Sequence, residues 1–137
     1  MLLFKTSGNT FNSVVANQKH AFKGHPKMWE SGEIILVSKN KKDCKPKEGQ
    51  IQYIMFLDNI RQTNNEEFEK YWPKNKRHWK YIADCSNSVM LQKPFNILEI
   101  VGQKYYHDYG RVQNFKKISP NHQDLILSHL KSINALD

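Results

Sequence analysis

The stretch 71–91, YWPKNKRHWKYIADCSNSVML, is the sequence feature that most constrains the fold. Pro73 has no backbone N–H and disfavours a helical conformation at Trp72, so the stretch is expected to begin as a loop. From Trp79 onward apolar and polar residues alternate, which predicts a strand with the Trp79 ring directed into the core. A loop that leads into a central strand is therefore expected to organise the rest of the chain.

The same loop gives the clearest indication of a partner. Positions 74–80 contain no acid and four cations, which are Lys74, Lys76, Arg77 and Lys80. A base can stack on an indole ring while neighbouring phosphates contact clustered cations, so this arrangement is typical of nucleic-acid binding. Trp72 lies on the loop side of Pro73, and we predict that Trp72 contacts the base.

The overall charge supports a polyanionic partner. The chain of 137 residues has a net charge of +8, and nucleic acid is the commonest polyanion that basic proteins bind. No segment combines the apolar helical face and lysine-rich polar face of a membrane-surface helix. Cys44 and Cys85 are isolated thiols without metal-ligand spacing, so we expect both to be reduced and the protein to be cytoplasmic.

Periodicity predicts one α+β domain over residues 1–137. Strands are expected at 2–5, 33–39, 50–61, 78–86 and 112–118, and helices at 10–19, at 94–100 and from 119 onward. The passage 20–26 is expected to be irregular, and 105–111 is expected to be an aromatic loop. Catalytic and cofactor-binding motifs are absent from the sequence, and its six histidines are scattered. We therefore expect a binding module rather than an enzyme, with no cofactor and no metal.

Four stretches, in their order along the chain, resemble the PUA-like superfamily and specifically its EVE and YTH members. They are 32–37 (GEIILV), 79–84 (WKYIAD), 94–98 (PFNIL) and 110–113 (GRVQ), the last followed by Ser119-Pro120. The resemblance spans nearly the whole chain. It implies a curved mixed β-sheet or open barrel flanked by helices.

Members of these families flip one modified nucleotide into a cage of aromatic rings. Carried over by position, the resemblance implies that Phe22 and Trp72 are the cage walls. The polar groups at the base edge would be Thr6, Ser7 and Asn9. The contacts to the nucleic-acid backbone would be Lys5, Lys23, Lys74, Lys76, Arg77 and Arg111.

The resemblance also implies a biological setting. The expected ligand is N6-methyladenine in DNA, read by a targeting domain like those of McrBC-type restriction systems, in which a separate motor and nuclease cut the DNA. A reader of 5-methylcytosine or of modified RNA is the nearest alternative. A small ASCH-type hydrolase using Lys5, Thr6 and Glu33 is an alternative of another class, and a basic protein-interaction domain is a third.

Overall fold

A computed structural model describes residues 1–8, 10–39, 51–73, 78–112 and 114–136. Its strands are β1 Leu2–Thr6, β2 Lys19–Phe22, β3 Ile34–Lys39, β4 Ile51–Gln62, β5 Tyr81–Phe95 and β6 Phe115–Lys117. Its α-helices are α1 Phe11–Asn17, α2 Asn65–Tyr71, α3 Ile97–Val101 and α4 Pro120–Ser132. A 3₁₀ turn at Gln103–Tyr105 and a π-helical turn at Tyr106–Gly110 lie between α3 and β6.

The six strands form a mixed sheet in the order β2-β5-β4-β3-β1-β6. β1 runs parallel to β3, and the other neighbouring strands are antiparallel. Register shifts interrupt the long β4–β5 ladder at three places, and such bulges bend strands and increase their twist. The sheet therefore curls into an open half-barrel flanked by helices, as the resemblance to PUA-like proteins implied.

Aromatic side chains bring the two edge strands of the half-barrel together. His20 on β2 stacks on Phe4 of β1 with 4.5 Å between ring centroids, and Phe22 meets Phe115 of β6 at 5.2 Å. The His20 Nε2 lies 3.2 Å from the carbonyl oxygen of Asn114, to which it can donate a hydrogen bond. Because His20 is buried, the pKa of its imidazole falls to about 4, so the ring is neutral near pH 7.

The curled sheet separates two apolar clusters. One cluster fills the inside of the half-barrel and contains Phe4, Phe22, Met55 and Ile82. The other joins the outer face of the sheet to α3 and α4 through Leu36, Ile54, Ile97, Ile126 and Leu130. This layering follows from the strand sequences, since Leu36 points to one cluster and its neighbours Ile35 and Val37 to the other.

Three sequence-based assignments of local structure were wrong. Residues 19–22 form β2 instead of an irregular passage, because they pair with residues 81–84 of β5. β5 begins two residues after Trp79 and continues through Pro94, so α3 starts only at Ile97, behind the capping side chain of Asn96. The aromatic segment 105–111 is helical over most of its length. No helix among the described residues is long and apolar enough to span a membrane.

Candidate nucleic-acid interface

A cleft opens where β2 ends and β5 begins. The two strands are antiparallel and their last pair is Phe22 with Tyr81, so Lys23 and Lys80 lie at the same end of this strand pair. The cleft has a volume of about 640 Å³ and is lined by Lys23, His78, Trp79 and Lys80. Basic side chains and an indole therefore face one space, although the residues that supply them come from two distant parts of the sequence.

Trp79 occupies an intermediate position between the core and solvent. Its ring packs against the inner apolar cluster while the residue also lines the cleft. The prediction that Trp79 faces the core from within a strand was wrong in part, because the strand starts at Tyr81 and Trp79 lies in the segment just before it. An indole supported on one side and open on the other can stack on a planar base.

The two cleft lysines are available for an anionic ligand. Lys23 and Lys80 are exposed, and neither pairs with a carboxylate in the described part of the chain. The Nε2 atom of His78 lies 3.4 Å from Oε1 of Glu69, and its ring lies 5.2 Å from that of Phe68. Lys74, Lys76 and Arg77, which were predicted to contact the backbone of the nucleic acid, lie outside the described residues.

A network of ion pairs joins the elements behind the cleft. Asp84 on β5 accepts hydrogen bonds from Lys19 at 2.7 Å and from the Nε atom of Arg61 at 2.7 Å. Arg61 on β4 also donates two hydrogen bonds to the carboxylate of Glu67 on α2, both at 2.8 Å. Burial alone would raise the pKa of Asp84, but the hydrogen bonds from Arg61 and Lys19 outweigh it and the pKa is lowered. Lys19 and Arg61 are thus paired with carboxylates, whereas Lys23 and Lys80 have no such partner in the described part of the chain.

The predicted aromatic cage is not present in this structure. Phe22 is fully buried, with Phe4, His20 and Phe115 around its ring. It is enclosed because it belongs to β2 and points into the half-barrel. Neither face of this ring is open to a base.

Trp72 also proves to be a core residue. It caps the C-terminus of α2, and its backbone N–H donates to the carbonyl of Phe68 at 2.9 Å. Phe68 and Trp72 lie four residues apart on the helix face that docks onto the inner cluster, and Trp72 is 5% exposed. The prediction that Trp72 lies outside the core was therefore wrong.

The hydroxyl groups of the polar turn after β1 form hydrogen bonds with one another. The hydroxyl of Thr10 lies 2.6 Å from that of Thr6 and 2.7 Å from that of Ser7, and Thr6 is buried. The amides of Thr10 and Phe11 both donate to the carbonyl of Ser7, which starts α1. Asn9 lies outside the described residues. Contact between this turn and a base edge stays a prediction, and neither Thr6 nor Ser7 lines the Trp79 cleft.

The remaining predicted backbone contacts also lie away from the cleft lining. Lys5 donates from Nζ to the carbonyl of Gly110 at 3.0 Å. Arg111 is exposed, and its Nη1 lies 3.2 Å from Nδ1 of His107. Among the described residues that the resemblance assigned to backbone contacts, Lys23 lines the cleft and Lys5 and Arg111 do not; Lys80, a cation of the predicted basic loop, lines it as well.

The three residues of the hydrolase alternative are not brought together. Glu33 precedes β3, where its carboxylate pairs with the amino group of Met1 at 2.9 Å and with Lys117. Lys5 and Thr6 occupy the opposite end of β1, four or five residues from Met1, which is about 13–16 Å along a strand. Within the described residues, no group of three or more His, Cys, Asp or Glu side chains could hold a metal ion.

Comparison with solved structures identifies the fold. An ASCH structure from Zymomonas mobilis has a TM-score of 0.57 at 9% sequence identity, with 93% of each chain covered. A serine-to-alanine variant of that protein has a TM-score of 0.60 at 9% identity, covering 93% of this chain and 94% of the other. The half-barrel matches the fold of ASCH domains, which are members of the PUA-like superfamily.

A third structure extends the likeness to almost the whole chain. The NMR structure of Rpa0253 from Rhodopseudomonas palustris has a TM-score of 0.57 at 12% identity, covering 99% of this chain and 94% of that one. No family model matches the sequence, and no curated protein does. At these identities the likeness shows the fold alone, so the site must be argued from the side chains of this protein.

The sequence analysis assigned Trp72 to the site and Trp79 to the core, whereas Trp79 lines the cleft and Trp72 is buried. Trp72 and Trp79 bracket the same basic loop, and the alternation after Trp79 made it look like the buried one. The spacing of Phe68 and Trp72 was available as a sign that Trp72 faces inward, because residues four apart share one face of a helix. His78 had no local pattern to identify it as a cleft residue.

Proposed function

We propose that this protein is a nucleic-acid-binding module that stacks a base on Trp79 and contacts the neighbouring phosphates through Lys23 and Lys80. The observation that carries the proposal is the cleft in which a partly buried indole converges with two lysines that have no carboxylate partner among the described residues. A stacked base contributes about 1–3 kcal/mol to binding, and phosphate contacts supply further, salt-dependent affinity.

The charge of the molecule and its fold support this partner. A net charge of +8 attracts polyanions, and the two cleft lysines give that attraction a defined location. Nucleic acid is the ligand class that the PUA-like fold favours. Since the hydrolase residues do not converge, we propose binding without turnover.

The finer form of the proposal concerns the base itself. We propose that the cleft favours a modified base in DNA, N6-methyladenine first. We also propose that the protein directs a modification-dependent restriction system to that base, with the motor and the nuclease supplied separately. With Phe22 and Trp72 buried, Trp79 is the aromatic wall that the described residues offer. One methyl group buried there adds about 0.8 kcal/mol, which corresponds to about a fourfold preference.

The test is a salt titration of oligonucleotide binding. Lys23→Ala and Lys80→Ala should each reduce the slope of log affinity against log salt by about one, as the loss of one phosphate contact requires. Lys131→Ala, an exposed lysine on α4, is the matched control and should leave the slope unchanged. Equal slopes for all three variants and the wild type would refute the placement of the phosphates.

The same assay tests the finer proposal. Oligonucleotides that differ only by one N6-methyl group should differ about fourfold in affinity for the wild type, and Trp79→Leu should remove the difference. Equal affinity of the wild type for the two oligonucleotides would refute selection of this base, and 5-methylcytosine and modified RNA are then compared in the same way. Release of product from any of these ligands would contradict binding without turnover.

A further inference from the structure

The loop between β2 and β3 presents an exposed apolar side chain five residues after Lys23, which lines the cleft. Met28 is 85% exposed, the most exposed of the large hydrophobic residues described. Its backbone has a φ of 60°, a conformation that residues with side chains rarely adopt. We propose that Met28 is a wedge that inserts between stacked bases of a double-stranded nucleic acid while one base occupies the Trp79 cleft. This inference rests on the proposed function.

Packing on both sides of Met28 fixes the loop. Before it, the His25 ring contacts the Tyr81 ring edge-to-face with 4.8 Å between centroids, and Pro26 is buried. After it, Trp29 packs against the inner apolar cluster. The amide of Glu30 then donates to the carboxylate of Glu33 at 3.0 Å. The exposed methionine is thus held out from an anchored loop.

The loop lies within reach of a duplex that is bound at the cleft. Lys23 lines the cleft and Met28 follows it by five residues, so their Cα atoms are at most about 18 Å apart. This distance corresponds to about five base steps along one strand. Lys27, next to Met28, is exposed and can contact a phosphate at the same point. The apolar side chain of Met28 therefore follows two exposed lysines, Lys23 and Lys27, that can contact phosphates of the same nucleic acid.

The chemistry of methionine suits insertion into a base stack. When a base leaves a duplex, its neighbours lose a stacking partner, and an apolar group that enters the gap replaces part of the lost contact. Methionine is unbranched, flexible and polarisable, so it adapts to the irregular space between bases. This loop therefore favours a double-stranded ligand over a single strand, because only in a duplex does a base stack have to be opened.

The experiment uses duplex and single-stranded oligonucleotides that contain 2-aminopurine, whose fluorescence rises when it unstacks. Saturating wild-type protein should raise the duplex signal at least threefold, and Met28→Ala should abolish the rise. Met28→Ala should also weaken duplex binding about tenfold and change single-strand binding less than twofold. Met28→Leu should restore the signal. Met90→Ala is the matched control, because Met90 is 67% exposed on β5, and it should behave as the wild type.

The possible failures are distinguishable. A 2-aminopurine signal that persists in Met28→Ala, or duplex binding by the wild type without any rise in signal, would overturn the wedge and leave the Trp79 cleft standing. Equal losses of duplex and single-strand binding in Met28→Ala would also overturn it. Absence of binding to every oligonucleotide would refute the proposed function itself, and the wedge with it.

Discussion

Acidification should destabilise the protein through His20, the buried histidine that helps close the half-barrel. Burial lowers the pKa of His20 from 6.5 to about 4. Above pH 6.5 the imidazole is neutral in both the folded and the unfolded state and contributes no pH dependence. Between pH 6.5 and 4 the unfolded chain binds a proton that the folded chain does not, so the free energy of unfolding falls as the pH falls. At 1.36 kcal/mol per pKa unit, the loss attributable to His20 is about 3 kcal/mol.

The assay is urea denaturation of the wild type and His20→Phe at intervals between pH 7 and pH 4. Phenylalanine keeps the aromatic packing, and the Asn114 carbonyl retains a hydrogen bond from the amide of Lys5 at 2.8 Å. Carboxylates titrate in both proteins, so the difference between their unfolding free energies isolates His20. The wild type should lose about 3 kcal/mol more than the variant over this range. His107→Gln, a change at an exposed histidine, is the control and should follow the wild type. A pH-independent difference between wild type and His20→Phe would refute the reasoning.

Three further predictions concern core and network residues. Trp72→Ala should lower the free energy of unfolding by about 3–5 kcal/mol in urea denaturation, because the ring is buried against Phe68. A loss below about 1 kcal/mol would contradict the burial of Trp72. Glu67→Gln should cost about 1 kcal/mol at pH 7, since its partner Arg61 is 37% exposed and water screens the pair. Hydrogen bonds from Arg61 and then from Thr63 lower the pKa of Glu67 from 4.5 to about 2. The carboxylate therefore stabilises the fold fully above pH 4.5, and this stabilisation disappears towards pH 2. Glu67→Gln should lack this contribution to the fall in unfolding free energy on acidification. Burial raises the pKa of Cys85 to about 12, so in the folded protein this thiol should react with iodoacetamide no faster than global unfolding allows; prompt labelling identified by peptide mapping would contradict its burial.

The strands that could be predicted from the sequence are those in which the apolar pattern of the strand itself is clear. The run Ile34–Val37 and the alternation after Ile51 predict strands without reference to the rest of the chain, and both are present. β2 could not be recognised in the same way. Its four residues, KHAF, become a strand because β5 pairs with them, and the paired residues lie 59 to 65 positions away in the sequence.

The candidate site shows the same division between local and long-range information. Trp79 and Lys80 are neighbours in one basic and aromatic stretch, in which Lys80 was named as a cation but Trp79 was assigned to the core. Their convergence with Lys23 depends on the pairing of Phe22 with Tyr81, which no local pattern reveals. The choice between Trp72 and Trp79 failed because the pattern around each indole was read alone, whereas the position of Trp72 is set by the helix that precedes it.

The most direct test of the central claim is the intrinsic fluorescence of the protein during titration with an oligonucleotide. The sequence contains three tryptophans, Trp29, Trp72 and Trp79, and of these Trp79 lines the cleft that we propose to receive the base. We expect an oligonucleotide to quench the wild type and Trp29→Phe alike, and to leave Trp79→Leu almost unquenched while weak, salt-sensitive binding persists. Undiminished quenching in a folded Trp79→Leu protein, with unchanged affinity, would contradict the claim that Trp79 stacks on the bound base.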